Sequence, residues 1–308
     1  MSLLVLGTVA FDTIETPFGK AERIIGGAGT YICWSASQFY NDIKLVSVIG
    51  DDYPQDALDA LSSRGVDLSG VEKRVGEKSF FWAGKYHLDM NSRDTLVTEL
   101  NVLADFNPVL PESYKNPEML LLGNFAPAVQ MSVLNQLNSR PKLVAMDTMN
   151  FWMDIAMDDL KKVLKQVDVL IINDEEARQL SGQHSLVKAA KLIREMGPKY
   201  LVIKKGEHGA LLFYGTHVFY VHTLHLEEVF NPTGAGDTFA GGFMGYLAKT
   251  GDYSLESMKR ALVYGSVAAS YCVEAFGPNR LKEINSSDVK ARTLQFLDLM
   301  EVTLEEIK

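Results

Sequence analysis

Cysteine is almost absent, with only Cys33 and Cys272 in 308 residues. Neither has a second Cys or a His at metal-ligand spacing, so the chain offers no disulfide framework and no zinc-type site. Both lie in apolar, helix-like surroundings (Tyr31-Ile32-Cys33-Trp34 and Ser270-Tyr271-Cys272-Val273). A thiol there packs as a small hydrophobe, which predicts two buried free cysteines and a reducing compartment. Positive charge is also short. With 30 Lys and Arg against 39 Asp and Glu the net charge is −9, which argues against the broad basic patches of nonspecific nucleic-acid binding. No apolar run approaches the ~20 residues that span a bilayer. The stretch Met1 to Gly7 is too short for a signal peptide and lacks its basic start. The expectation is a cytoplasmic protein with neither membrane nor nucleic-acid partners. Internal repeats, low-complexity tracts and long linkers are missing as well.

What the chain does have is an ordinary globular composition, 47% hydrophobic and 22% charged. Short runs that are apolar on both faces recur at Leu3–Leu6, Leu45–Ile49, Met119–Leu122, Leu143–Met146, Val169–Ile172 and Leu201–Ile203. They suit buried parallel strands. Helical patterns stand between them at Thr30–Phe39, Gln55–Ser63, Val129–Leu137, Asp158–Lys165, Glu175–Leu180 and Leu186–Glu195. This alternation predicts a mainly parallel sheet covered on both faces, with ligands at the carboxyl ends of its strands. The C-terminal third reads as helices Ala235–Thr250, Leu255–Val273 and Ser287–Met300, and the charged tail Glu301 to Lys308 is expected to fray. Two segments break the rhythm. Residues 12–25 look like a short antiparallel excursion, and residues 79–101 like a β-hairpin with a polar tip at Asn91-Ser92-Arg93-Asp94. Together they predict a small sheet projecting from the main body.

The most informative segment is Asn231-Pro-Thr-Gly-Ala-Gly-Asp-Thr-Phe-Ala-Gly-Gly242. Gly234, Ala235 and Gly236 open a helix directly before Asp237. A helix start of this kind presents bare N–H groups and the positive end of the dipole, and so favours a phosphate. A carboxylate in the same turn repels a phosphate, but it serves if it takes a proton from a hydroxyl attacking phosphorus. The alternative is a helix packed tightly on a sheet, with Asp as a dipole partner. Elsewhere, Asp12 has the acceptor capacity to hold two sugar hydroxyls, or is a turn residue. Gly26, Gly27 and Gly29 allow close backbone approach, or make a tight turn. Asn173 and Glu176 have the spacing of a capping box. A dinucleotide-binding fold would need Gly-x-Gly-x-x-Gly after the first strand, and Leu3 to Val9 has none.

Thr-Gly-Ala-Gly-Asp-Thr-Phe-Ala-Gly-Gly resembles the signature of the ribokinase-like (PfkB) carbohydrate kinase family, and Asp12, Gly26-Gly27-Ala28-Gly29, Gly50-Asp51, Asn173-Asp174-Glu175-Glu176 and Lys205-Gly206-Glu207-His208-Gly209 follow in that family's order. The resemblance implies a single kinase domain over residues 1–308, with a ribokinase-like three-layer α/β/α fold and a β-sheet lid built from about 12–25 and 79–101. It implies an ATP- and Mg2+-dependent phosphotransferase acting on a primary hydroxyl of a sugar or related small molecule. Asp237 would be the base, with Gly234, Ala235 and Gly236 stabilising the moving phosphoryl group. Asp12, Gly26 and Gly27 would bind the acceptor. Asn173, Lys204, Gly206, Gly209, Phe276 and Gly277 would line the nucleotide, and Glu176 would act on magnesium through water. Tyr31 stands where the family often has Asn; its ring is suited to stack on a base, which admits a nucleoside kinase as the alternative. A nucleotide-binding regulator without catalysis is the alternative of another class. Asn231 replaces the family's common Asp, so potassium activation is not expected. The exposed lid edge offers a pairing surface for a homodimer.

Overall fold

The computed structural model describes residues 2–299. Its strands are β1 (Leu3–Leu6), β2 (Ala10–Thr16), β3 (Gly19–Gly26), β4 (Ile43–Gly50), β5 (Val66–Arg74), β6 (Phe80–Tyr86), β7 (Arg93–Glu99), β8 (Met119–Leu122), β9 (Leu143–Asp147), β10 (Val169–Asn173), β11 (Tyr200–Lys204), β12 (Ala210–Tyr214) and β13 (His217–Val221). Nine of them form one sheet in the order β13-β12-β11-β10-β9-β8-β1-β4-β5. From β5 to β11 every neighbouring pair is parallel, and β12 runs antiparallel to both β11 and β13. The six predicted strands all fall in this sheet. The pattern missed β5 because Val66–Arg74 carries Asp67, Glu72, Lys73 and Arg74 on an outer, half-exposed edge.

Alternation along each strand feeds two cores. Leu3, Val5, Val169 and Ile171 join the first core with helices Ala28–Ala36, Ala235–Thr250 and Leu255–Cys272. Leu4, Leu6, Leu170 and Ile172 join the second with helices Met157–Leu164, Asp174–Ser181 and Leu186–Glu195. A parallel strand that is apolar on both faces therefore gives three layers. On the first side the close fit depends on small residues. A Cβ on Gly245 would come within 2.8 Å of the Ala36 Cα. The tight-packing explanation of the glycine-rich helix thus holds for its second and third turns.

The two irregular segments meet as expected. β2, β3, β6 and β7 make a second sheet in the order β3-β2-β6-β7. Each hairpin is antiparallel within itself, but β2 and β6 pair in parallel, so the lid is a mixed sheet. Both cysteines are buried free thiols, and no described helix is long and apolar enough to cross a membrane. The predicted tail, 301–308, lies outside the described residues.

Candidate active site

The candidate anion-binding turn is built on Gly234, the N-cap of helix Ala235–Thr250, at φ +82°. A side chain there would be strained in its backbone, and its Cβ would sit 2.5 Å from the ring of Tyr31. The Ala235 N–H donates to the Pro232 carbonyl at 3.2 Å, so it shapes the loop instead of facing a ligand. Among the described residues the amides of Gly234, Gly236 and Asp237 have no backbone acceptor. These, and not the Ala235 amide, are the free donors of the first turn.

Three strands end at this turn. β9 ends in Asp147, β10 in Asn173 and β11 in Lys204, with Asn173 level with Lys204. The Lys204 ammonium stands 3.7 Å from the Asp147 carboxylate. It lies so close to Gly236 that a Cβ there would be 2.8 Å from it. Lys204 was expected to line the nucleotide; the structure puts its charge beside the anion turn itself. Burial alone would favour a neutral amine, but Asp147, Glu176 and Asp237 together raise its pKa and keep it charged.

The acids around it are held back from ionising. Burial pushes Asp237 up to about 7, helped by the negative charges of Asp147 and Asp12 and opposed by Lys204 and Arg93. Burial and Asp147 also push Glu176 up to about 7, against Lys204, the Asn173 N–H and Arg93. Burial raises Asp147 too, with Lys204 the main counterweight. A base with a pKa near 7 is matched to proton abstraction at neutral pH.

Asn173 and Glu176 do form the capping box. The Glu176 N–H donates to Asn173 Oδ1 at 2.7 Å, and the Asn173 N–H donates to Glu176 Oε2 at 2.8 Å. The cap fixes a carboxylate that is only 7% exposed among the other acids. It occupies one oxygen and leaves the other for a ligand. Among the described residues no three acids, histidines or cysteines converge closely enough to hold a metal by themselves. Magnesium keeps most of its waters and takes few protein ligands. Carboxylates beside an anion turn fit such an ion carried in by a nucleotide.

Asp12 and Gly26, the candidate acceptor residues, belong to the first lid hairpin. Asp12 on β2 is 5% exposed, and burial raises it to about 7 while the Gly27 N–H lowers it. A Cβ on Gly26 would overlap the Asp12 carboxylate, so any side chain there would displace it. Gly27, at φ +91°, opens helix Ala28–Ala36. Tyr31 departs from expectation. It is 1% exposed, with its ring packed beneath Gly234, so it has no free face for stacking. It supports the anion turn from below.

The lid touches both loops of the site. Tyr86 on β6 accepts a hydrogen bond from Thr233 Oγ1 at 3.0 Å. Asn91 at the hairpin tip abuts Gly206, which starts the Gly206–His208 turn between β11 and β12. Gly206 and Gly209 both hold positive φ, at +54° and +80°, and His208 is an exposed turn residue. Phe276 and Gly277, expected beside the nucleotide, have lid residues as neighbours. Phe276 approaches Gly19, and a Cβ on Gly277 would meet the Ile25 carbonyl at 3.3 Å. Sequence reading gave Asp147 no role and did not single out Tyr86, Thr233 or Arg93. An acid directly after an apolar strand was the available signal for Asp147; the lid contacts had none.

Comparison with known proteins places the chain in a family. The profile of the pfkB family carbohydrate kinases matches residues 5–285. A cytidine kinase from Thermococcus kodakarensis is 32% identical over 249 residues, covering 79% of this chain and 87% of its own. A nucleoside kinase from Methanothermobacter thermautotrophicus is 22% identical, covering 96% of each chain. An E. coli structure described as a ribokinase II in complex with ATP and Mg2+ superposes with a TM-score of 0.79 at 18% identity, covering 96% of this chain and 99% of that one. The nine-stranded sheet with its lid is therefore the ribokinase fold, the chain is a kinase of sugars or nucleosides, and it belongs to the pfkB family of carbohydrate kinases.

Proposed function

We propose that this kinase transfers the γ-phosphoryl group of ATP to a primary hydroxyl of a ribosyl nucleoside. The observation that carries the chemistry is the placement of Asp237, with a pKa near 7, in the same helical turn as the free amides of Gly234 and Gly236 and beside the Lys204 ammonium. An acceptor hydroxyl held by Asp12 and the Gly26–Gly27 turn would lose its proton to Asp237 as it attacks. The amides and Lys204 would stabilise charge on the transferring group, where positioning and electrostatics supply most of the rate. Magnesium, brought with the nucleotide, would neutralise phosphate charge, and Glu176 would hold it through water with Asp147 nearby. Asn173, Lys204, Gly206 and Gly209 would border the nucleotide. Phe276 and Gly277 would close its edge against the first lid hairpin. Ala235 serves by shaping the turn.

Between a sugar and a nucleoside acceptor, the relatives named cytidine kinase and nucleoside kinase favour the nucleoside. A relative named 2-dehydro-3-deoxygluconokinase, 25% identical over 280 residues, keeps a sugar acid as the second reading. The proposal takes residues 1–308 as one kinase domain in the cytoplasm, where its two free thiols stay reduced. It includes a homodimer formed through the outer edge of β7, whose partner in the lid sheet is β6. A coupled ADP-release assay across cytidine, adenosine, inosine, D-ribose and sugar acids tests the acceptor. Turnover of nucleosides above sugars supports the reading. ATP binding without phosphorylation of any alcohol would refute it.

A further inference from the structure

Two aromatic rings beside the anion turn are already committed. Tyr31 is sealed beneath Gly234, and Tyr86 is buried with its hydroxyl on Thr233. Trp82 on β6 is only partly buried. Its place follows from register. Trp82 pairs with Asp12 across the parallel β2–β6 ladder, and directly paired residues project from the same face, with Cβ atoms about 5 Å apart. Tyr86, four residues on along β6, projects from that face as well and reaches the anion loop. Trp82 therefore stands on the cleft side of the lid, next to the acid proposed to hold the acceptor.

Its ring is also held in a defined pose. The indole lies across Gly84, where any Cβ would overlap it. The indole N–H donates to Thr95 Oγ1 on β7 at 3.3 Å. One face thus rests on bare backbone. Over the ring stands the guanidinium of the exposed Arg93, 5.9 Å from its centroid. Direct ring contact needs only about 3.5–4.0 Å, so the guanidinium is not packed down on the indole. A flat indole fixed by a glycine and a threonine, beside a hydroxyl-binding carboxylate, is a platform for a planar ring attached to the sugar.

We propose that Trp82 is the specificity-determining residue for the acceptor, stacking on the pyrimidine or purine base of a nucleoside whose ribose is held by Asp12. The proposal rests on the reading of the chain as a kinase whose acceptor binds at Asp12. Arg93 closes over the base from the lid tip. The role of ring stacker, expected for Tyr31 on helix Ala28–Ala36, falls to a residue of the lid sheet.

The test compares the wild type, Trp82→Ala and Trp82→Phe with cytidine, adenosine and, as an acceptor without a base, D-ribose. Trp82→Ala should raise the KM for the preferred nucleoside about 10–100-fold, the range of base-on-aromatic stacking, and lower the nucleoside-to-ribose preference by the same factor. Trp82→Phe should restore most of both, which a general loss of structure would not. Nucleoside titration should quench tryptophan fluorescence in the wild type, and Trp82→Phe should lose that signal. If the wild type phosphorylates nucleosides and Trp82→Ala keeps the same KM and preference, stacking is refuted while the kinase reading stands. If D-ribose is used as well as any nucleoside, base recognition is refuted with the kinase reading intact. If no alcohol is phosphorylated, the kinase reading fails. The fluorescence titration then decides on Trp82 alone, and absence of a Trp82-dependent quench overturns it.

Discussion

The Lys204 ammonium stands 3.7 Å from the Asp147 carboxylate, at the ends of two strands with β10 between them. This pair sets the charge balance of the site. Without Lys204, Asp147, Glu176 and Asp237 would face one another with the charge of Arg93, an exposed lid residue, and the N–H groups of Asn173 and Thr148 left to offset them. The Lys204→Met variant should therefore lose both stability and turnover. Removing one partner of a buried pair costs up to roughly 3–5 kcal/mol. Adding Asp147→Asn should recover much of the stability, because the surplus charge goes too, and should leave turnover low. Thermal unfolding and a coupled assay on the two single variants and the double one separate these effects. Wild-type turnover in Lys204→Met would remove the ammonium from the mechanism.

Asp237→Asn keeps the shape of the helix start and removes the proton acceptor. Turnover should fall by roughly 10²–10⁴, the contribution of a general base. ATP affinity measured by calorimetry should change by only a few-fold, because the Gly234 and Gly236 amides and Lys204 are untouched. A variant with near-normal turnover would show that the acceptor hydroxyl loses its proton elsewhere.

Tyr86 and Thr233 tie the lid to the anion loop through one hydrogen bond of 3.0 Å. A net contribution of about 0.5–1.5 kcal/mol should make Tyr86→Phe a few-fold to tenfold poorer in kcat/KM. Thr233→Val should match it, and the double variant should be little worse than either single change, since both remove the same contact. Fully additive losses would mean that the two residues act separately.

How far these residues could be read from sequence depends on whether the signal is local. The buried strands and the helices around them follow from apolar runs and caps that act over a few residues. Ser254 is such a cap: it stands before Leu255–Cys272 and accepts the Ser257 N–H at 3.3 Å. Gly234 to Asp237 is legible because the turn and its acid are contiguous. β5 was not, because an edge strand of Asp, Glu, Lys and Arg has no apolar period. Tyr31 was misjudged because one sequence cannot show that its ring lies under Gly234, about two hundred residues away. Trp82 was seen only as part of a hairpin; its partner Asp12 is set by a parallel ladder between distant segments. Arg93 and Asp147 join the site only when the strand ends and the lid tip meet in space.

The buried acids make stability and activity respond to pH in opposite directions. Asp12, Glu176 and Asp237 are raised to about 7 from ordinary values of 3.8 to 4.5. Between those limits the folded protein binds more protons at these sites than the unfolded chain does, so their contribution to stability falls as pH rises. Acids lowered by folding, such as Asp67 and Asp89, act the other way, but lose their contribution only below the usual carboxylate range. The ligand-free protein should thus melt at a higher temperature near pH 5.5 than near pH 8. Over the same interval kcat/KM for the acceptor should rise, because Asp237 must be ionised to accept a proton. Asp237→Asn should flatten part of the melting trend and raise the melting temperature at pH 8 by a few degrees, while turnover is lost. Differential scanning calorimetry from pH 5 to 8.5 on both proteins makes the comparison. A melting temperature that climbs steadily with pH in the wild type would mean that these carboxylates ionise freely in the folded state and that the site is wetter than its burial implies.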